Sequence, residues 1–172
     1  MKKILFISTR NPYSEQFSGD VIRSLKIIKL LKKKNKIDVL YVGKKQKNKT
    51  KQQIGYNFDQ PNIFSKVFFC LMSFLKLEPM QFGLFYSTKL KKYIDQNANK
   101  YDVLFFYHIR SVPYFPKNYK GKTILEMGDL YSKNYNQTFN NLSKINPLAY
   151  LYLLESLLIK NIEKKALKTF DK

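Results

Sequence analysis

Four short apolar runs punctuate the chain, and each is rich in β-branched or aromatic residues: Lys3 to Ser8 (KILFIS), Lys36 to Val42 (KIDVLYV), Asp102 to Tyr107 (DVLFFY) and Lys122 to Met127 (KTILEM). Runs of this length without polar alternation predict strands buried on both faces, the pattern of a parallel sheet covered by helices. Between the first two runs, Val21, Leu25, Ile28 and Leu31 recur at helical spacing, while Arg23, Lys26, Lys29 and Lys33 occupy another face. This predicts a helix opening at Gly19-Asp20 and reaching about Lys34. A loop over Thr9 to Ser18, containing Pro12, precedes it. Strand, loop, helix and strand in that order begin a doubly wound sheet. The spacing predicts further helices over Ile63–Leu77, Tyr86–Asn99 and Pro147–Thr169, with Pro147 at a first turn where its missing N–H costs nothing. Residues 44–60 are polar and basic and are predicted as a loop. The fold class is α/β, a single Rossmann-like domain over residues 1–172 with helices on both faces of a parallel sheet.

The run IFSKVFFCLMSFLKL (63–77) is too short to span a bilayer and carries Lys66 and Lys76. Two readings stay open, a buried helix and a helix that dips into a membrane surface. Composition bears on the choice without deciding it. The net charge is +20, with 32 basic against 12 acidic residues. Such an excess fits nucleic acid, an anionic membrane surface, or a lysine bias without function. An anionic membrane surface is the partner expected here, and nucleic acid is not. Cys70 is the one cysteine, so the chain can form no internal disulfide, in keeping with a reducing compartment. Met1-Lys2-Lys3 leads into an apolar run too short for a secretory signal. A cytoplasmic protein, peripheral on the inner face of the plasma membrane, is expected.

The arginines narrow the chemistry. Among 32 basic residues only Arg10, Arg23 and Arg110 are arginine, the side chain with a planar fork for phosphate or carboxylate. All three follow predicted strands or open the first helix, near the carboxyl edge of the sheet where ligands of such folds bind. The same edge is expected to hold Gly19, Asp20, His108, Ser111, Glu126 and Asp129. Gly19-Asp20 presents helix amides to an anion, or is a plain helix start. No glycine precedes Ser18, so the dinucleotide fingerprint GxGxxG is absent. His108 has the pKa range of a general base, or is a histidine satisfied at a strand end. Glu126 and Asp129, flanking Gly128, could orient sugar hydroxyls or serve as base, or form a simple turn. No spacing of His, Cys or carboxylates suits a metal. Glu155 falls on the apolar stripe of the last helix, where a buried carboxylate must be paired, an arginine of the crevice being the expected partner, or protonated; the alternative is a partly exposed, water-solvated Glu155.

ILFISTRNPY (4–13), GDVIRS (19–24), PMQFGLFYS (79–87), RSVPY (110–114), LEMGDLYSKNY (125–135) and LLESLLIKNIEKKALKTFD (153–171) occur in order along nearly the whole chain. Together they resemble the N-terminal half of family 4 GT-B glycosyltransferases, in particular the sugar transferases of bacterial exopolysaccharide clusters. GDVIRS is the most specific segment. The resemblance implies a hexosyltransferase of two Rossmann-like domains. A nucleotide-sugar donor is held mainly by the C-terminal one, and a sugar or lipid-linked acceptor by this one. The nucleotide-sugar is a substrate, and no cofactor or metal is expected. His108 and Asp129 would be catalytic, and Gly19, Asp20, Arg23, Arg110, Ser111 and Glu126 would bind substrate. Two departures accompany it: the family's double glycine stands here as Ser18-Gly19, and the donor domain lies outside these 172 residues. The alternative reading is a non-catalytic nucleotide- or anion-binding module of the same fold.

Overall fold

A computed structural model of the chain describes residues 1–14, 18–43 and 55–172. Five parallel strands form one sheet in the order β3-β2-β1-β4-β5: β1 (Lys3–Ser8), β2 (Lys36–Val42), β3 (Gly55–Phe58), β4 (Val103–Tyr107) and β5 (Lys122–Glu126). The register sets Ile4 against Ile37 and Val103, so the three central strands start level. Six helices accompany them: α1 (Gly19–Lys32), α2 (Ile63–Leu75), α3 (Met80–Leu84), α4 (Thr88–Asn97), α5 (Tyr131–Asn141) and α6 (Pro147–Thr169). The α/β class and the Rossmann-like parallel sheet are therefore as the apolar runs predict. Among the described residues no helix is long and apolar enough to cross a membrane.

Because strand side chains alternate, each strand feeds two cores. Ile4, Phe6, Val39 and Phe105 point to the face covered by Ile28 of α1. Leu5, Ile7, Leu40 and Phe106 point to the other, where Leu90 and Ile94 of α4 and Ala166 of α6 close over them. Past α6, Phe170 packs edge-on to Phe106 and Phe115. Asp171 then accepts from both the N–H and the hydroxyl of Thr123, and the Leu125 N–H donates to the Lys172 carbonyl. This strap covers the β5 edge, which would otherwise offer unpaired backbone groups.

Five elements differ from expectation. Residues 55–58, assigned to the polar loop, are β3, an edge strand pairing with Val39 to Val42; residues 44–54 lie outside the described residues. The segment 79–85 contains the short helix α3, and residues 131–141 form α5. The helix expected over Tyr86–Asn99 begins at Thr88, where Ser87 caps it. The helix over 63–77 forms as α2, yet Ser73 is its one buried residue, so it is not a buried helix.

Candidate functional site at the carboxyl edge of the sheet

β1 has β2 on one side and β4 on the other, so the chain changes winding direction at the β1–β4 boundary, the switch point where such sheets bind ligands. Thr9 to Ser14 leave β1 there, with residues 15–17 of that loop outside the described residues. His108 leaves β4 with φ of 68°, a left-handed backbone that a non-glycine residue rarely adopts. The following Ile109–Tyr114 turn holds this conformation: the Ser111 N–H and hydroxyl both donate to the His108 carbonyl, and the His108 N–H donates to Glu126 of β5. Over-determined strain of this kind gathers at ligand sites.

His108 is only 6% exposed. Its Nε2 lies 3.4 Å from Asp20 Oδ1, though not aligned as a hydrogen bond. Its Nδ1 is 3.3 Å from the Met127 carbonyl and 3.4 Å from the Tyr131 hydroxyl. Burial pushes its pKa below the ordinary 6.5; Asp20 and the Met127 carbonyl oppose this, and Arg110 and Arg10 add to it. The neutral ring is therefore the form present at neutral pH. Gly128 makes room for it: at φ +74° a side chain there would press on His108 Cε1 and Nδ1.

Around this ring the three arginines take separate places. Arg10 pairs with Asp20 at 3.0 Å, so Asp20 lies between Arg10 and His108. The Tyr107 hydroxyl donates to the Asp20 carbonyl, tying the first turn of α1 to the end of β4. Arg23 pairs with Glu126 at 2.7 Å, and the same carboxylate oxygen accepts the Gly128 N–H. Arg110 lies between two rings, 4.7 Å from Phe85 and 5.0 Å from Tyr131, with its Nε donating to Gln81 at 2.7 Å. Arg10 approaches the same Phe85 ring at 5.9 Å. Both surface pairs are half exposed and worth little as stability; their effect is to fix directions.

Of the residues expected in the site, Asp20, Arg23, His108, Arg110 and Glu126 are brought together. Gly19 opens α1 beside Asp20 with free space around its Cα, and Ser18 caps the helix by accepting the Val21 N–H. Ser111 faces inward, fully buried, with its hydroxyl spent on the His108 carbonyl. Asp129 is exposed and makes no ion pair among the described residues. The expected arginine partner for Glu155 is a correction. Glu155 Oε1 accepts the Met80 N–H, and Arg110 reaches Gln81 instead. Glu155 Oε2 and Gln81 Nε2 are both buried and without a hydrogen bond.

Gln81, Phe85, Gly128 and Tyr131 were not singled out from the sequence. Gln81 and Phe85 lie in the quoted segment PMQFGLFYS, but a neutral amide and a phenylalanine carry no chemical signal until Arg110 is seen against them. Among the described residues no three His, Cys, Asp or Glu side chains gather as a metal site. A scan of the chain against models of known protein families finds no match, and a search of curated proteins finds no similar sequence.

Proposed function

We infer that this domain is the acceptor-side half of a GT-B glycosyltransferase of the family 4 type. It would act with a donor-binding domain that supplies the nucleotide-sugar. The single observation carrying the reading is the grouping of Arg10, Arg23 and Arg110 about the Asp20–His108 pair at the switch point of a parallel sheet. Neutral His108 suits a general base. With its Nε2 uncovered by movement of Asp20, it would take the proton of an acceptor hydroxyl as that oxygen bonds to the anomeric carbon, and the bond to the nucleotide phosphate breaks. Asp20 would hold the imidazolium so formed, as a carboxylate does for a charged ring. The arginines would receive the negative charge of the leaving group or of an acceptor phosphate. Asp129, exposed beside this cluster, would stand as the acidic group nearest incoming sugar hydroxyls.

The test is transfer of radiolabelled sugar to membrane lipid extracts by the protein expressed from its intact gene. Arg110→Lys and Arg23→Lys keep the charge and lose bidentate contact, about 1.5–3 kcal/mol, so the rate should fall roughly tenfold or more. Arg10→Lys should be milder. Wild-type rates in both Arg23→Lys and Arg110→Lys would remove the assignment. The domain alone should transfer nothing.

One observation favours a second reading, a non-catalytic anion-binding module: the His108 ring nitrogens are enclosed by Asp20, Met127 and Tyr131. Tight binding of nucleoside diphosphate by the domain, lost in Arg110→Lys, with no sugar transfer by the intact protein, would establish it.

A further inference from the structure

α2 is built with its polarity reversed. Its small and polar positions turn inward, with Ser73 buried and the Phe69–Cys70 backbone pressed so closely on Gly83 of α3 that a side chain at Gly83 would overlap it. Most of its large apolar side chains turn outward, with Phe69 and Met72 half-buried towards the neighbouring groove. Phe64 is 82% exposed, and Val67, Phe68, Leu71, Phe74 and Leu75 are exposed beside it. At 3.6 residues per turn these positions share one stripe, about 120° wide. Beyond the helix, Leu77 continues the apolar surface. No acidic residue occurs from Gln60 to Leu77, where the only charges are Lys66 and Lys76. Behind Phe68, a groove of about 460 Å³ runs between α2, α3 and the turn after β4, lined by Phe69, Phe82, Tyr86 and Phe115 together with three lysines, Lys76, Lys91 and Lys117, and one carboxylate, Glu78.

We propose that α2 is a docking helix for a bilayer of anionic lipids, lying in the interface plane with Phe64, Val67, Phe68, Leu71 and Leu75 in the acyl boundary. An apolar stripe this wide on a helix too short to span is the form that inserts shallowly into a lipid surface. Charge selects the lipid. Lys76 and Lys117 line the groove beside the stripe, and the whole chain carries +20, so anionic headgroups attract it and uncharged ones do not. A protein partner for so basic a chain would need an acidic face around an apolar groove; a lipid surface offers both layers at once. The inference does not depend on the glycosyltransferase reading.

The chain contains no Trp, so single-Trp probes report cleanly. Phe64→Trp should show a blue-shifted emission on adding vesicles of mixed phosphatidylcholine and phosphatidylglycerol, and none with phosphatidylcholine alone. Leu30→Trp, exposed on α1, should not shift with either. Lys76→Glu with Lys117→Glu should weaken co-sedimentation with the anionic vesicles by roughly tenfold or more. The triple change Phe64→Ser, Leu71→Ser and Leu75→Ser should abolish it with an unchanged melting curve; were that variant to unfold, the two Trp probes would still decide. A shift in both probes, or in Leu30→Trp alone, would overturn the proposal. So would a Phe64→Trp shift that follows protein concentration without lipid, accompanied by dimer in sedimentation velocity, since a second copy would then be the occupant.

Discussion

At the carboxyl edge of the sheet polar side chains go in: His108 and Ser111 are buried there, beside ion pairs that fix the arginines. On α2 apolar side chains go out. Both depart from the usual distribution, and the way each is held differs. The edge is held by contacts between residues distant in sequence, Arg23 with Glu126, Arg110 with Gln81 and Tyr107 with Asp20. α2 is held mainly by α3 a few residues on, and the side chains of its outer face are exposed. Leaving each large apolar side chain in water forgoes roughly 1.5–3 kcal/mol, so folding alone gives no reason for that face. Strain at His108 has the same standing: it costs stability and must be maintained by its neighbours.

The difference can be broken most forcefully at Gly83. Gly83→Ala drives a methyl group into the Phe69–Cys70 main chain, which cannot yield as a side-chain tip would. A loss of about 3 kcal/mol in urea unfolding is expected, at the upper end of overpacking costs. Phe64→Ser, on the outer face of the same helix, should change stability by less than about 0.5 kcal/mol. Equal effects from the two would mean that α2 has no distinct inner and outer face.

Gly128→Ala tests the edge in the same way. It combines a left-handed backbone with pressure on the His108 ring, and a cost of roughly 1–3 kcal/mol is expected. The single histidine allows a second readout, since its Cε1 proton gives one histidine signal, downfield of the Phe and Tyr rings. It should shift in Gly128→Ala and stay in place in Gly83→Ala.

A smaller effect follows from the burial of His108. Its pKa is held below 6.5 in the folded chain, so the unfolded chain takes up the proton first. Stability should be full above pH 6.5, fall as pH drops through that value, and level off below the folded pKa. His108→Gln should lose that slope between pH 7 and the carboxylate range, about pH 5. A slope of opposite sign in the native chain would mean that Asp20 outweighs burial and that the ring is charged at neutral pH.

The legible and illegible parts of the molecule divide along the same lines. β1 and β2 have the boundaries that KILFIS and KIDVLYV predict, because strands buried on both faces are apolar along most of their length. β3 was hidden because an edge strand of four residues, GYNF, is too short and too little buried to leave such a run. α5 was hidden for another reason. YSKNYNQTFNN is mostly polar, and Leu130 at its start offers no capping side chain; Glu163, 31 residues on, accepts the Ser132 N–H and hydroxyl instead. In the site, Arg10, Arg23 and Arg110 could be placed at the edge from strand order alone. Which carboxylate or ring each would meet depended on tertiary contacts, and so did the inward turn of Ser111.

Glu155 links the two regions, since α3 carries both Met80, which it binds, and Gln81, which meets Arg110. Burial raises its pKa above the ordinary 4.5, while the Met80 and Gln81 groups act in the opposite direction. An acid raised in the fold contributes stability that is full below the unfolded value and declines as pH rises through the folded one. The charged form present at higher pH has one oxygen, Oε2, buried without a donor. Glu155→Gln keeps an acceptor for the Met80 N–H and removes that charge. It should stabilise the chain at pH 7 by about 1 kcal/mol, the scale of one poorly satisfied buried group, and have little effect at pH 4. Glu155→Ala, which leaves the Met80 N–H unpaired, should destabilise at both. Thermal melts of the two variants at the two pH values separate these outcomes. Destabilisation by Glu155→Gln at pH 7 would mean that the carboxylate charge is needed, with Arg110 acting on it through Gln81, and the arginine partnership expected from the sequence would return in indirect form.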